Sequence, residues 1–174
     1  YGGAIYASYY GSLLFDGVDL NENSAYYYGG AVYAYYQTDG MIVRNSLITD
    51  NEAQNGYGGG IYSYITPLVV EVSEFSWNQA YYSGGGIYQY YGAELALNDS
   101  TFDHNTATYY SGGGVYYWPY NTGYNLNALA CTFSDNTSRY EGGGLYGLSA
   151  EAVQISGTRF WGNELEDASY GGGL

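Results

Sequence analysis

Lysine is absent from this chain, and only Arg44, Arg139 and Arg159 stand against 17 carboxylates, which leaves a net charge of −14. Nucleic acid is thereby excluded as a partner, because binding to phosphate rests on Lys and Arg. Anionic membrane surfaces are disfavoured by the same repulsion. Cysteine occurs once, at Cys131, so no intrachain disulfide framework exists and the residue reads as a buried free thiol. No apolar run reaches the length of a membrane-spanning helix, so membrane insertion is not expected. Helical periodicity is missing throughout, and proline occurs only at Pro67 and Pro119.

What the chain has instead is glycine, 28 residues, and tyrosine, 27, both set in a repeat. Ile5, Val32, Ile61, Ile87, Val115, Leu145 and Leu174 each follow two or three small residues at a period of 26 to 30, the mark of stacked structural units. A second frame runs through Leu20, Ile48, Phe75, Phe102, Phe133 and Phe160. Three positions after each stands an asparagine: Asn23, Asn51, Asn78, Asn105, Asn136 and Asn163. Seven and five positions before each frame residue lie apolar side chains, such as Leu68 and Val70. Apolar positions two apart in short segments are strands with one buried face.

The expectation is an all-β parallel β-helix, a solenoid forming one domain over residues 1–174. Its six to seven coils have ~28 residues each, with about three short strands per coil, in a rod about 30 Å long. The asparagines fit a sharp corner, since Asn tolerates left-handed backbone and its amide can pair with those above and below. The glycines fit a second corner. All variation in length falls in two linking stretches, read as outer loops. In the longest, the run from Tyr117 through Trp118 and Tyr120 to Gly123 is expected to bulge from the regular column.

Immediately after each aliphatic residue of the glycine frame stands Tyr6, Tyr33, Tyr62, Tyr88, Tyr116 or Tyr146, and two residues further come Tyr35, Tyr64, Tyr90 and Trp118. Alternation along a strand turns both sets outward, as two aromatic stripes along one side of the rod. Stacked tyrosines stabilise neighbouring strands. A contiguous aromatic patch of this size is also a contact surface for protein or polysaccharide.

Parallel β-helices also carry polysaccharide lyases and glycoside hydrolases. Lysis of uronates needs a strong base and cations, and hydrolysis needs two carboxylates across a groove. Lysine is missing, the arginines fall in three columns, and Glu71, Glu74, Asp99 and Asp103 read as a solvated acidic face, so no catalysis is expected. His104 lies in a column between Trp77 and Asp135; one His with one Asp makes no metal site. No cofactor is expected, although Asp16 with Asp19, or Glu164 with Glu166 and Asp167, could offer oxygens to Ca²⁺, without the nonapeptide spacing of calcium β-rolls. Asn98-Asp99-Ser100 fits the glycosylation sequon, as does Asn136, the latter within the inward ladder.

Phe75-Ser76-Trp77-Asn78, Phe102-Asp103-His104-Asn105, Phe133-Ser134-Asp135-Asn136 and Phe160-Trp161-Gly162-Asn163 carry a Phe-x-x-Asn motif, and Gly2-Gly3-Ala4-Ile5 and Gly29-Gly30-Ala31-Val32 carry Gly-Gly-Ala-aliphatic. Together these resemble the repeats of polymorphic outer-membrane proteins and other extracellular right-handed parallel β-helix proteins. The resemblance implies right-handed winding and a secreted or cell-surface setting, often in adhesion. The chain starts at Tyr1-Gly2-Gly3 and stops at Gly172-Gly173-Leu174, nearly the same phase of the repeat. The expectation is a segment of a longer rod or the protomer of a fibre, associating head to tail or continuing into further coils. Function is read accordingly as structural or adhesive, with polysaccharide binding by the tyrosine stripes as the alternative.

Overall fold

The protein is described by a computed structural model over residues 1–9, 11–91, 93–120 and 123–167. The expectations placed on Tyr170 to Leu174 and on Asn121 and Thr122 lie outside the described residues. Within them the chain winds through six coils whose strands form four parallel sheets of six strands each. The first sheet holds Ile61–Tyr64 and its equivalents, the second Leu68–Glu71, the third Glu74–Ser76, and the fourth the two-residue strand Gln79–Ala80.

Each coil therefore carries four strands, one more than the sequence reading assigned. The fourth was concealed in the small column Ala25, Ala53, Ala80, Ala107, Ser138 and Leu165, which pairs in register although each strand is only two residues long. All other columns pair as read. Phe75 lies beside Ile48 and Phe102, and Val70 beside Val43 and Leu97. One continuous core results, in which Ile61, Val70, Phe75, Leu97, Phe102 and Phe133 are fully buried. Phe102 stacks between Phe75 and Phe133 at 5.1 and 4.8 Å.

The polar interior is bonded along the rod axis. Asn105 Nδ2 donates to Phe75 O of the preceding coil at 2.8 Å and to Asn136 Oδ1 of the following coil at 2.9 Å. Its Oδ1 accepts from the backbone N–H of Asn78 at 3.1 Å and from Asn78 Nδ2 at 2.9 Å. The same set of bonds recurs at Asn51 and Asn78. A second ladder, which the sequence showed only as a small column, joins backbone N–H groups to hydroxyls one coil on: Ser46 N to Ser73 Oγ and Ser73 N to Ser100 Oγ, at 3.1 and 3.2 Å. Cys131 continues that column as a buried free thiol whose pKa burial raises.

Left-handed backbone turns the chain at four corners per coil. The asparagines are not the left-handed residues, contrary to expectation. The residue before each one is: Glu22, Asp50, Trp77, His104, Asp135 and Gly162, with φ between 50° and 64°. Asparagine itself turns its amide inward to bond, which a corner position would prevent. Glycine is required at the corner the sequence assigned to it. At Gly85 a Cβ would lie 2.6 Å from Thr106 N, with the backbone of Gly113 also in contact. The expected bulge after Tyr116 is also corrected: Tyr117 and Trp118 belong to the first-sheet strand Val115–Trp118, and Tyr117 is fully buried with its hydroxyl donating to Ala93 O at 2.9 Å. A tyrosine fits where other coils place Ala34, Ser63 or Gln89 because this hydroxyl finds a carbonyl.

Two β-branched residues, Ile65 and Val72, occupy left-handed corners at φ 47° and 46°. Such residues are strained there. Val72 is exposed, and Asn45 occupies the equivalent corner one coil earlier, so Val72→Asn is expected to raise stability by about 1 kcal/mol in urea unfolding. Phe102→Ala is expected to lower it by about 3–5 kcal/mol through lost transfer energy and the cavity left behind. A loss below about 1 kcal/mol in the same assay would contradict the inward assignment of that column.

Candidate functional site

Strand alternation turns the two tyrosine stripes away from the core, as the spacing requires. Tyr6, Tyr33, Tyr62, Tyr88, Tyr116 and Tyr146 stack along the rod with successive centroids 5.2, 5.2, 5.3, 4.7 and 5.1 Å apart. Beside them run Tyr35, Tyr64, Tyr90 and Trp118, at 5.0, 5.7 and 5.2 Å.

Outward direction does not bring exposure, and this corrects the sequence reading. Tyr33, Tyr62 and Tyr88 are only 9, 8 and 7 % exposed. A second layer covers them. Tyr28 packs on Tyr62 at 4.8 Å and Tyr57 on Tyr88 at 4.7 Å. The middle of the stripe is therefore a minor hydrophobic cluster outside the main core, and Tyr62→Ser or Tyr88→Ser would alter stability as well as any contact. Tyr6, at the first coil, remains exposed, and on the adjoining corner after the fourth sheet Tyr26, Tyr27, Tyr81, Tyr109 and Tyr110 also face solvent. Tyr81 stacks with Tyr109 at 5.8 Å and Tyr82 with Tyr110 at 5.5 Å. The guanidinium of Arg139 lies over Tyr109 and Tyr140, 5.2 and 5.3 Å from their centroids.

The covering layer belongs to a column that the sequence reading did not follow, the residue directly before each glycine run: Tyr1, Tyr28, Tyr57, Ser83, Ser111 and Glu141. Its register is fixed by backbone bonds such as Gly58 N to Ser83 O and Gly84 N to Ser111 O, at 3.1 and 3.2 Å. Where the rings give way to serine, a slot of 270 Å³ opens, lined by Tyr57, Tyr88, Tyr116, Trp118, Ser111 and Glu141 among others.

The remaining candidates are placed as follows. His104 stacks on Trp77 at 4.1 Å, and its Nδ1 lies 2.7 Å from Asp103 Oδ2. Asp103 also accepts a bond from Ser134 Oγ. Asp135 joins them, so that Asp103, His104 and Asp135 hold ligand-type atoms within 4.8 Å of one another, a grouping that the one-His, one-Asp reading missed because Asp103 sits beside His104 in the chain. Asp16, one of the oxygens considered for Ca²⁺, is held by Arg44 Nη2 at 2.9 Å and Asn45 Nδ2 at 3.0 Å, which keep its carboxyl below the usual range. Asp19 begins a third-sheet strand and Glu164 a fourth-sheet one. Asn98 ends the second-sheet strand Leu95–Asn98 and is half-buried, whereas Asn136 is buried in the ladder. Among the described residues no helix is long and apolar enough to cross a membrane.

Four parallel sheets wound around one core, with a tyrosine-clad outer wall, define a parallel β-solenoid. The family described as right handed beta helix region matches residues 1–173, and the chain belongs to it. That membership fixes the right-handed winding. No curated protein and no solved structure matches the chain.

Burial raises the pKa of Tyr33, Tyr62, Tyr88 and Tyr116, and neighbouring phenols add to the effect. A folded-state pKa above the unfolded value of about 10 favours the folded chain fully below that pH and ceases to do so as pH rises beyond it. Stability is expected to fall above about pH 10, each buried phenol removing up to about 1.4 kcal/mol per pH unit. Ultraviolet difference absorbance should show the exposed tyrosines ionising first and the buried set only with unfolding. Simultaneous ionisation of all tyrosines in the folded state would contradict the covering layer.

Proposed function

We propose that this chain is a noncatalytic structural and adhesive β-solenoid of an extracellular or cell-surface setting, whose exposed tyrosine wall is its contact surface. The observation that carries the reading is the row of solvent-facing rings Tyr26, Tyr27, Tyr81, Tyr109 and Tyr110, kept exposed on a scaffold that has already buried a full core and a second aromatic layer. Exposed aromatics on that scale are a liability unless another surface covers them. The resemblance of the Phe-x-x-Asn and Gly-Gly-Ala repeats to polymorphic outer-membrane proteins supports the surface setting. The net charge of −14 keeps the rest of the rod solvated and repels like copies except where rings meet. In-register parallel pairing supports growth of the rod coil upon coil, either within a longer chain or between protomers.

A polysaccharide laid along the same wall is the second reading, favoured by the phenol hydroxyls beside flat ring faces. Thermal unfolding with soluble polysaccharides separates the two, since a ligand that binds only the folded chain raises its Tm. Product formation from a panel of acidic and neutral polysaccharides would overturn the noncatalytic assignment.

Tyr81→Ser combined with Tyr109→Ser is expected to weaken self-association or surface retention in sedimentation and pull-down assays while circular dichroism stays unchanged. The stability cost should be about 1 kcal/mol or less, the scale of exposed cross-strand pairs. Undiminished association in the double variant would remove the wall from the contact.

A further inference from the structure

In the first coils each ring of the covering column lies over the main tyrosine stripe one coil ahead: Tyr1 over Tyr33, Tyr28 over Tyr62 and Tyr57 over Tyr88, at 5.3, 4.8 and 4.7 Å. The next two members are Ser83 and Ser111, so the rings that would cover Tyr116 and Tyr146 are missing. Those two tyrosines are correspondingly half-buried, whereas Tyr33, Tyr62 and Tyr88 are buried. The slot of 270 Å³ is the space the two absent rings leave. It lies below the range of about 300–1,000 Å³ typical of whole-ligand pockets, which suits a single head group.

At its far end the column closes with Glu141. Ser111 Oγ donates to Glu141 Oε2 at 3.1 Å, and the same carboxylate adds to the rise that burial gives the Tyr146 phenol's pKa. The ion pairs among the described residues are Arg44 with Asp16 and His104 with Asp103, so Glu141 is in neither. Arg139, two residues away, lies over Tyr109 and Tyr140 instead. A carboxylate beside phenol and indole rings attracts a cation twice, through its charge and through the ring quadrupoles. The stacking of Arg139 on this same wall is a built-in instance of the second attraction. An anionic ligand is disfavoured by Glu141 and by the net charge of −14.

We propose that the slot between Tyr57 and Glu141 is a binding site for an organic ammonium ion, whose head group takes the place of the two missing rings, with Tyr116 and Trp118 at its sides. The site does not depend on whether the rest of the wall is adhesive.

The test follows Trp118 fluorescence in the full chain carrying Trp77→Phe and Trp161→Phe, two exposed positions outside the slot. Choline, its neutral carbon isostere dimethylbutanol, lysine amide and a neutral methyl glycoside are titrated separately. Choline or lysine amide is expected to bind at least about tenfold more tightly than the isostere. Whichever of the two binds more tightly assigns the source as a quaternary head group or a protein side chain. Glu141→Gln should abolish the preference for charge. Ser83→Tyr with Ser111→Tyr rebuilds the column seen at Tyr28 and Tyr57 and should remove binding while leaving the melting temperature at or above that of the parent, so that lost binding cannot be ascribed to unfolding. Equal binding of the isostere, binding of the glycoside in place of the cations, or cation binding that survives the filled slot would each overturn the assignment. None of these outcomes bears on the contact made by Tyr81 and Tyr109.

Discussion

A parallel coil leaves its backbone N–H and C=O groups pointing along the rod axis, and each must be met by the coil above or below. Everything else in this molecule is subordinate to that requirement. Once the backbone registers of successive coils are locked, like residues fall on like residues, and each column must hold a side chain that tolerates its own copy as a neighbour. Phenylalanine does so by stacking, serine by accepting a bond from the N–H of the preceding coil, and asparagine by donating to both neighbouring coils and accepting from the preceding one. The asparagine ladder matters most, because its bonds are buried and each residue meets four partners at once. In such a network the loss of one side chain breaks several buried bonds at once.

Repetition made the fold legible. The columns through Leu68, Val70 and Phe75 could be read because their mutual spacing never changes from coil to coil, and that through Ile61 because glycines precede it each time; all of them pair in the register the repeat gives. What escaped the reading was short or tertiary. A two-residue strand such as Gln79–Ala80 has no alternation to detect and is recognisable only by its position after the asparagine corner. Tyr117 looked like part of a loop because a polar aromatic is unusual in a core, yet a single carbonyl, Ala93 O, accounts for it. The corner residues Asp50, Trp77 and His104 share no side-chain type, so the left-handed conformation could not be inferred from them.

The outer wall was legible in direction but not in depth. Alternation turns Tyr62 and Tyr88 outward with certainty, but only packing shows that Tyr28 and Tyr57 lie on top of them. The signal was present in the column before each glycine run, which changes from tyrosine to serine and then to Glu141. Interior and exterior thus follow different rules. Inside, most columns are held nearly constant because their copies must stack, the column of Ala34, Ser63, Gln89 and Tyr117 being the exception. Outside, the column may change, and the change from rings to serines is what creates a cavity. Function on a solenoid of this kind is written in the departures from the repeat.

The central claim is that the buried asparagine ladder holds the coils in register, and urea unfolding of Asn105→Ala tests it most directly. The substitution removes four buried side-chain hydrogen bonds and leaves the backbone N–H of Asn78 without its partner, while Asn78 Nδ2 keeps Ile48 O and Asn136 Oδ1 keeps the backbone N–H of residue 105. At about 0.5–1.5 kcal/mol for each of the four lost bonds, the expected loss is at least about 2 kcal/mol. A loss below about 1 kcal/mol would mean that the backbone ladders alone hold the register and that the asparagines merely occupy it.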